Sequence, residues 1–159
     1  MPKQKLIDLL YEIMKDSRRS DRELAKTVKV SQPTITRMRK VLEDTGYIRE
    51  YTVVPALEKL GFEILAFNFL SADVTPKHRK EMEEWIRENR KIVFSSSGEG
   101  LISKTFVLAS IHKDFTDFSN FVHGIGSSFV SSNLSIESFL VSLKTDVIKH
   151  FSLNDLEKI

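Results

Sequence analysis

Ser20-Asp21-Arg22-Glu23-Leu24-Ala25-Lys26-Thr27-Val28-Lys29-Val30-Ser31-Gln32-Pro33-Thr34-Ile35-Thr36-Arg37-Met38-Arg39-Lys40 is the stretch on which the fold turns. Ser20 stands three residues before Glu23, the spacing at which a serine hydroxyl and a returning carboxylate satisfy the first free amides of a helix. A helix therefore begins at Asp21 and carries Leu24, Ala25 and Val28 inward. Lys29-Val30 makes a short turn to Ser31, a second residue of capping type, with Pro33 in the following first turn, where its missing N–H is harmless. The next helix is predicted from about Gln32 to Thr45 and closes at Gly46, a residue free to adopt the left-handed backbone.

Upstream, Leu6, Ile7, Leu10, Ile13 and Met14 recur at spacings of three and four, so an amphipathic helix is predicted over roughly residues 3 to 15, broken by Ser17-Arg18-Arg19. Downstream, residues Tyr47 to Val54 are rich in aromatic and β-branched types and read as a β-hairpin or wing ending at Pro55. Residues 1–54 then form a winged helix-turn-helix, and 55–61 a linker. Beyond it the pattern gives strand 62–74, helix 76–89 capped by Thr75, strands 91–97 and 103–113, helix 115–125 and strand 133–145. That order is βαββαβ, a ferredoxin-like domain over 62–145, so the fold class is α+β. The tail, 146–159, is unassigned apart from a short helix after Ser152.

Composition bounds the function. The 159 residues are 41 % hydrophobic, enough for real cores, and include no cysteine, which excludes disulfides, thiol catalysis and cysteine-based zinc sites. No run approaches the roughly 18 apolar residues of a membrane span, and Met1-Pro2-Lys3-Gln4-Lys5 leads into no signal-peptide stretch. The expectation is a soluble cytoplasmic protein with no membrane partner. Net charge is only +2, but residues 1–61 carry 13 Lys and Arg against 9 Asp and Glu, while the remainder is slightly acidic. The basic excess lies with the helices.

On a helical wheel the third helix turns Ile35, Met38, Val41, Leu42 and Thr45 to one side and Thr36, Arg37 and Lys40 to the other. Such a helix fits the major groove, where Thr hydroxyls bond either base type and Arg or Lys donates to guanine O6 and N7. Ser31, Gln32 and Thr34 crowd the end that points at base edges, and Arg18, Arg19 and Arg49 flank it as backbone contacts. Any one of these cations is equally at home on a solvated helix face, since Lys and Arg favour helices wherever exposed. Caps, turn, basic face and wing together point to double-stranded DNA as the partner.

Asp21-Arg22-Glu23-Leu24-Ala25-Lys26, Ser31-Gln32-Pro33-Thr34-Ile35-Thr36-Arg37, Gly46-Tyr47-Ile48-Arg49-Glu50-Tyr51 and Leu57-Glu58-Lys59-Leu60-Gly61-Phe62 resemble the Lrp/AsnC, or feast/famine, family of prokaryotic regulators. The likeness covers residues 5 to about 75, and the rest only as an order of elements; the segment most specific to the family is the wing followed by Pro55-Ala56-Leu57-Glu58-Lys59-Leu60-Gly61. The Ser-Gln-Pro-Thr stretch alone also resembles the MarR type. The family resemblance implies a regulator acting as a homodimer, with tetramers or octamers as further assemblies, whose C-terminal domain takes small effectors, commonly amino acids. Lys29 stands where the family usually has Gly. The loop between strands two and three, acidic in the pattern Gly-Asp-x-Asp in the family, reads Gly98-Glu99-Gly100-Leu101 here, with the second acid missing.

An enzyme of the tetrapyrrole decarboxylase type shares this architecture and stays open as an alternative, as do a MarR-like regulator and a protein-binding adaptor. His78, His112, His123 and His150 show no paired spacing, and no carboxylate dyad or phosphate loop appears, so no catalytic residue, metal site or cofactor is assigned. Two further expectations follow from patterning. Strand one is apolar on both sides, with Leu65, Phe67 and Phe69 alternating with Ile64, Ala66 and Leu70, and strand four repeats this with Phe139, Val141 and Leu143. Two helices cover one face of a four-stranded sheet, so the second face calls for a twofold partner, with the tail from Asp146 as the competing cover. An effector region at Ser96, Ser97, Gly98, Glu99 and Gly100 keeps donors for a carboxylate but offers a single acid for an ammonium, so the response is expected to be weak, absent or directed at something other than an ordinary amino acid.

Overall fold

In the computed structural model, residues 3–71, 75–98, 100, 104–129, 133–145 and 147–158 are described. The chain divides into two units, Met1–Pro55 with Lys149–Ile159 and Ala56–Ile148.

The first unit is built on α1 (Lys3–Lys15), α2 (Asp21–Val28) and α3 (Gln32–Asp44). The Ser20 capping box forms in both directions: Glu23 N donates to the Ser20 hydroxyl and Ser20 N donates to the Glu23 carboxylate at 2.8 Å. Leu9, Leu24, Ile35, Met38 and Leu42 are fully buried where the three helices meet, and Ile48 packs against them. Lys29 takes the left-handed backbone at φ 57, ψ 54, so the turn keeps the shape a glycine would give it, at the steric cost of a Cβ.

Three details depart from expectation. Ser31 makes no cap bond; its hydroxyl pairs with that of Thr34 at 2.8 Å. Helix α3 ends at Asp44, one residue early, and Gly46 follows at φ 74. Residues 47–54 form no hairpin: after a bend at Tyr47 the segment carries no regular element and joins no β-ladder. The reason is legible, since it contains no Gly, Asn, Asp or Pro to reverse the chain. All ladder strands described belong to the second unit.

The second unit opens with a 3-10 turn, Leu57–Leu60, closed by Gly61 at φ 83. It continues as β1 (Ile64–Ser71), α4 (Pro76–Glu88), β2 (Ile92–Ser97), β3 (Phe106–His112), α5 (Phe115–Ser128) and β4 (Ser135–Ser142). The antiparallel sheet has the order β2-β3-β1-β4, the ferredoxin-like arrangement. Among the described residues β1 begins at Ile64 rather than 62, β3 ends at His112 rather than 113 and β4 spans Ser135–Ser142 rather than 133–145, while β2 ends at Ser97 as expected. Helix α5 instead runs three residues beyond the expected 125, through Gly124 and Gly126, because Phe121, Ile125 and the following Phe129 stay buried against the sheet and reward continuation. Leu70, Met82, Phe106 and Leu108 complete this core.

One seam of that core is polar. Ser138 donates to Asn68 Oδ1 at 2.7 Å, Asn68 Nδ2 donates to the Ser110 hydroxyl at 2.9 Å, and Ser110 Oγ lies 2.9 Å from His112 Nε2. The direction of the Ser110–His112 bond follows the imidazole tautomer, and the other ring nitrogen, Nδ1, lies 3.9 Å from Asp117. No described helix is long and apolar enough to cross a membrane.

Candidate nucleic-acid interface and effector region

Asp21 joins the two halves of the helix-turn-helix. Its carboxylate accepts from the Thr36 hydroxyl at 2.6 Å and from Arg39 Nε and Nη2 at 3.1 and 2.9 Å. The Thr36 hydroxyl, and after it Arg39, hold this carboxyl below the ordinary aspartate range. Arg39 also donates to the Tyr51 hydroxyl at 3.2 Å, and Tyr51 donates to Glu43 at 2.9 Å, which ties the segment after α3 back to that helix. Sequence reasoning missed Arg39 and its role. Its partner lies eighteen residues away on another helix, a separation that no local spacing rule detects.

Around this clamp the remaining cations divide into engaged and free. Arg19 is held by Glu12 and Thr27 and is only 25 % exposed. Arg18 lies near Asp16 at 3.6 Å but is 92 % exposed. Gln32, Thr36, Arg37, Lys40 and Arg49 are exposed, and among the described residues no ion pair engages Arg37, Lys40 or Arg49. Ser31 is exposed and Thr34 half-buried at the start of α3. The turn brings the α3 group together on one face, with Thr36 differing from expectation in that its hydroxyl already serves Asp21.

In the second unit, Leu65, Phe67 and Phe69 lie on the sheet face opposite Ala66, Asn68 and Leu70, which the helices bury. Cross-strand register sets Phe67 beside Phe139 and Leu65 beside Val141, so the apolar residues expected to share a face do share it; Leu143 follows directly after β4. Phe139 is 65 % exposed. The tail groups with the N-terminal helices, where Glu157 pairs with Lys15 at 2.6 Å. Of the expected effector residues, Ser96 and Ser97 close β2, and Gly98 and Gly100 follow, all exposed; Glu99, like the neighbouring Leu101, lies outside the described residues.

Three helices in this arrangement, with an unpaired basic face on the last, define a helix-turn-helix DNA-binding protein. A family model for winged helix-turn-helix DNA-binding matches residues 3–49. An uncharacterized HTH-type transcriptional regulator of Pyrococcus horikoshii is 31 % identical over 119 residues, covering 74 % of this chain and 76 % of that protein. The HTH-type transcriptional regulator LrpC of Bacillus subtilis is 38 % identical over 58 residues, 36 % of this chain and 40 % of its own length. A solved transcriptional regulator of Neisseria meningitidis, crystallised with L-Met, superposes over the full length of both chains with a TM-score of 0.83 at 22 % identity. The chain belongs to the Lrp/AsnC family of helix-turn-helix transcriptional regulators.

Proposed function

We propose that this DNA-binding transcriptional regulator acts as a homodimer that presents α3 of each protomer to successive major-groove half-sites and answers to a small molecule. The observation that carries the DNA-reading part is the exposed, unpaired state of Arg37 and Lys40, in a unit where Arg19 and Arg39 are each bonded to a carboxylate. A cation left without a partner on a helix held rigid by its neighbours is poised for a phosphate or a guanine edge. Thr36, its hydroxyl spent on Asp21, offers its methyl to thymine; Ser31, Gln32 and Thr34 sit at the leading end. Arg18 and Arg49 grip phosphate directly, and Arg19 does so only by leaving Glu12.

Dimerisation through the sheet face of Leu65, Phe67, Phe69, Phe139 and Val141 sets the spacing of the two recognition helices, about 34 Å for adjacent half-sites. Tetramers or octamers extend the same assembly. Response to a small molecule is supported by the L-Met bound to the Neisseria regulator, with Ser96, Ser97, Gly98, Glu99 and Gly100 as the candidate region here.

Fluorescence titration against the operator tests the assignment of α3. Arg37→Ala is expected to cost roughly 1–3 kcal/mol and relax base preference, whereas Arg49→Ala weakens all sequences alike and shallows the salt slope by about one unit. Wild-type binding by the Arg37→Ala, Lys40→Ala double variant would falsify the reading.

A further inference from the structure

A cavity of about 260 Å³ opens between α4 and the edge strand β2. Glu83, Ile86 and Arg87 form its helical wall, Ser95, Ser96 and Ser97 its strand wall, and Phe106 is shared from β3. Register places Ser95 opposite Leu108 and Ser97 opposite Phe106, so both serines stand on the helix-covered side of the sheet. The Ser96 hydroxyl is occupied with the Ser97 carbonyl at 2.9 Å. Among the described residues, no side-chain hydrogen bond engages the hydroxyls of Ser95 or Ser97.

The lining carries one acid, Glu83, and one base, Arg87, and the acid is further engaged by Arg79 from outside the lining. Glu83 is shared by two guanidiniums, Arg79 at 3.2 Å and Arg87 at 3.6 Å. Arg79, which does not line the cavity, lies over the Phe106 ring, 5.6 Å from its centroid, and stays beside Glu83. Two cations share one carboxylate, and the facing wall is neutral and rich in donors. An incoming anion meets a guanidinium fork and two hydroxyls, while an ammonium meets only a carboxylate already serving two arginines. Ile86 and Phe106 supply apolar surface for the remainder of the ligand. The volume is below the roughly 300–1,000 Å³ of drug-sized sites, which limits the ligand to a small metabolite.

We propose that the cavity between α4 and β2 binds a small organic monocarboxylate with an apolar body, the carboxylate held by Arg87, Ser95 and Ser97 and the body lying on Ile86 and Phe106. This rests on the reading of the protein as responsive to a small molecule, and it sharpens that reading by replacing an amino acid with an anion lacking the ammonium group. Most of the site, Arg87, Ser95, Ile86 and Phe106, lies apart from the loop region assigned above.

Isothermal titration of the full chain with 4-methylpentanoate, L-leucine and inorganic phosphate tests the proposal. Saturable binding of 4-methylpentanoate is expected, at least about tenfold tighter than L-leucine or phosphate, and weakened about tenfold or more by Arg87→Gln. Arg87 is 71 % exposed, so that variant is expected to fold, and Arg87→Lys, which keeps the charge but loses the fork, is expected to restore binding only in part. No binding of 4-methylpentanoate at about 10 mM overturns the proposal. So does binding that Arg87→Gln leaves unchanged. Binding of L-leucine that is insensitive to Arg87→Gln overturns the cavity while leaving the small-molecule reading intact, and loss of response to every small molecule in an operator-binding assay overturns the latter by itself.

Discussion

Two residues carry unusual physical burdens. Lys29 holds a left-handed backbone that costs a non-glycine residue roughly 1–2 kcal/mol, partly offset by the lower unfolded-state entropy of lysine. Lys29→Gly is therefore expected to stabilise the N-terminal unit by up to about 1 kcal/mol, read as a rise of several degrees in thermal unfolding. His112 is completely buried, with Phe118 and Phe121 of α5 packed on its ring at 5.4 and 5.0 Å. Burial lowers its pKa, Asp117 opposes that and Lys91 adds to it. A histidine with a depressed folded pKa binds its proton more readily when unfolded, so stability falls as pH drops below the unfolded value of about 6.5. Each unit of depression is worth about 1.4 kcal/mol. The wild type is expected to lose stability as pH falls through the unfolded value of about 6.5, above the range of the carboxylates, whose lowered pKa values act further into acid. His112→Gln keeps a partner for Ser110 and removes the titration; an unchanged pH slope in that variant would show that another group is responsible.

At the level of elements, α3 serves the core and the interface from opposite sides. Ile35, Met38 and Leu42 are fully buried while Arg37 and Lys40 are exposed, a division that follows directly from the 3.6-residue period. Leu42→Ala is expected to cost about 2–5 kcal/mol in the N-terminal unit and to abolish operator binding at moderate temperature. Sheet dichroism and the unfolding of the second unit should be retained, because its core is assembled from other residues. Simultaneous loss of both units in a thermal scan would contradict this separation. The orientation of α3 depends in addition on Asp21, Arg39 and Tyr51, none of which local periodicity singles out.

For the whole molecule the decisive feature is the apolar sheet face. Phe67 and Phe139 are direct cross-strand neighbours on it, Phe67 half-buried and Phe139 65 % exposed, and an aromatic ring left open within an apolar face calls for cover. Replacing Phe67 with Glu puts a charge where a partner's apolar face would lie, so the variant is expected to sediment as a monomer at micromolar concentration. Operator affinity should fall with it, since each half-site is then bound alone. A wild-type protein that sediments as a monomer at that concentration ends the dimer reading.

Much of this was legible beforehand because it rests on local rules. The capping box at Ser20, Pro33 in the first turn of α3, the glycine stop at Gly46 and the period-two strands of the second unit each fix a backbone conformation within a few residues of themselves. They determined the helix-turn-helix, the order βαββαβ and the basic face of α3. The hairpin expected at 47–54 does not form for a local reason: the aromatic and β-branched run from Tyr47 to Val54 holds no turn residue. What only the tertiary structure decided lies between distant residues: Asp21 bound to Arg39, the polar seam from Ser138 to His112, and the meeting of Arg87 with Ser95 and Phe106. Such contacts are set by how helices and strands pack on one another, and neither composition nor spacing along the chain records that packing.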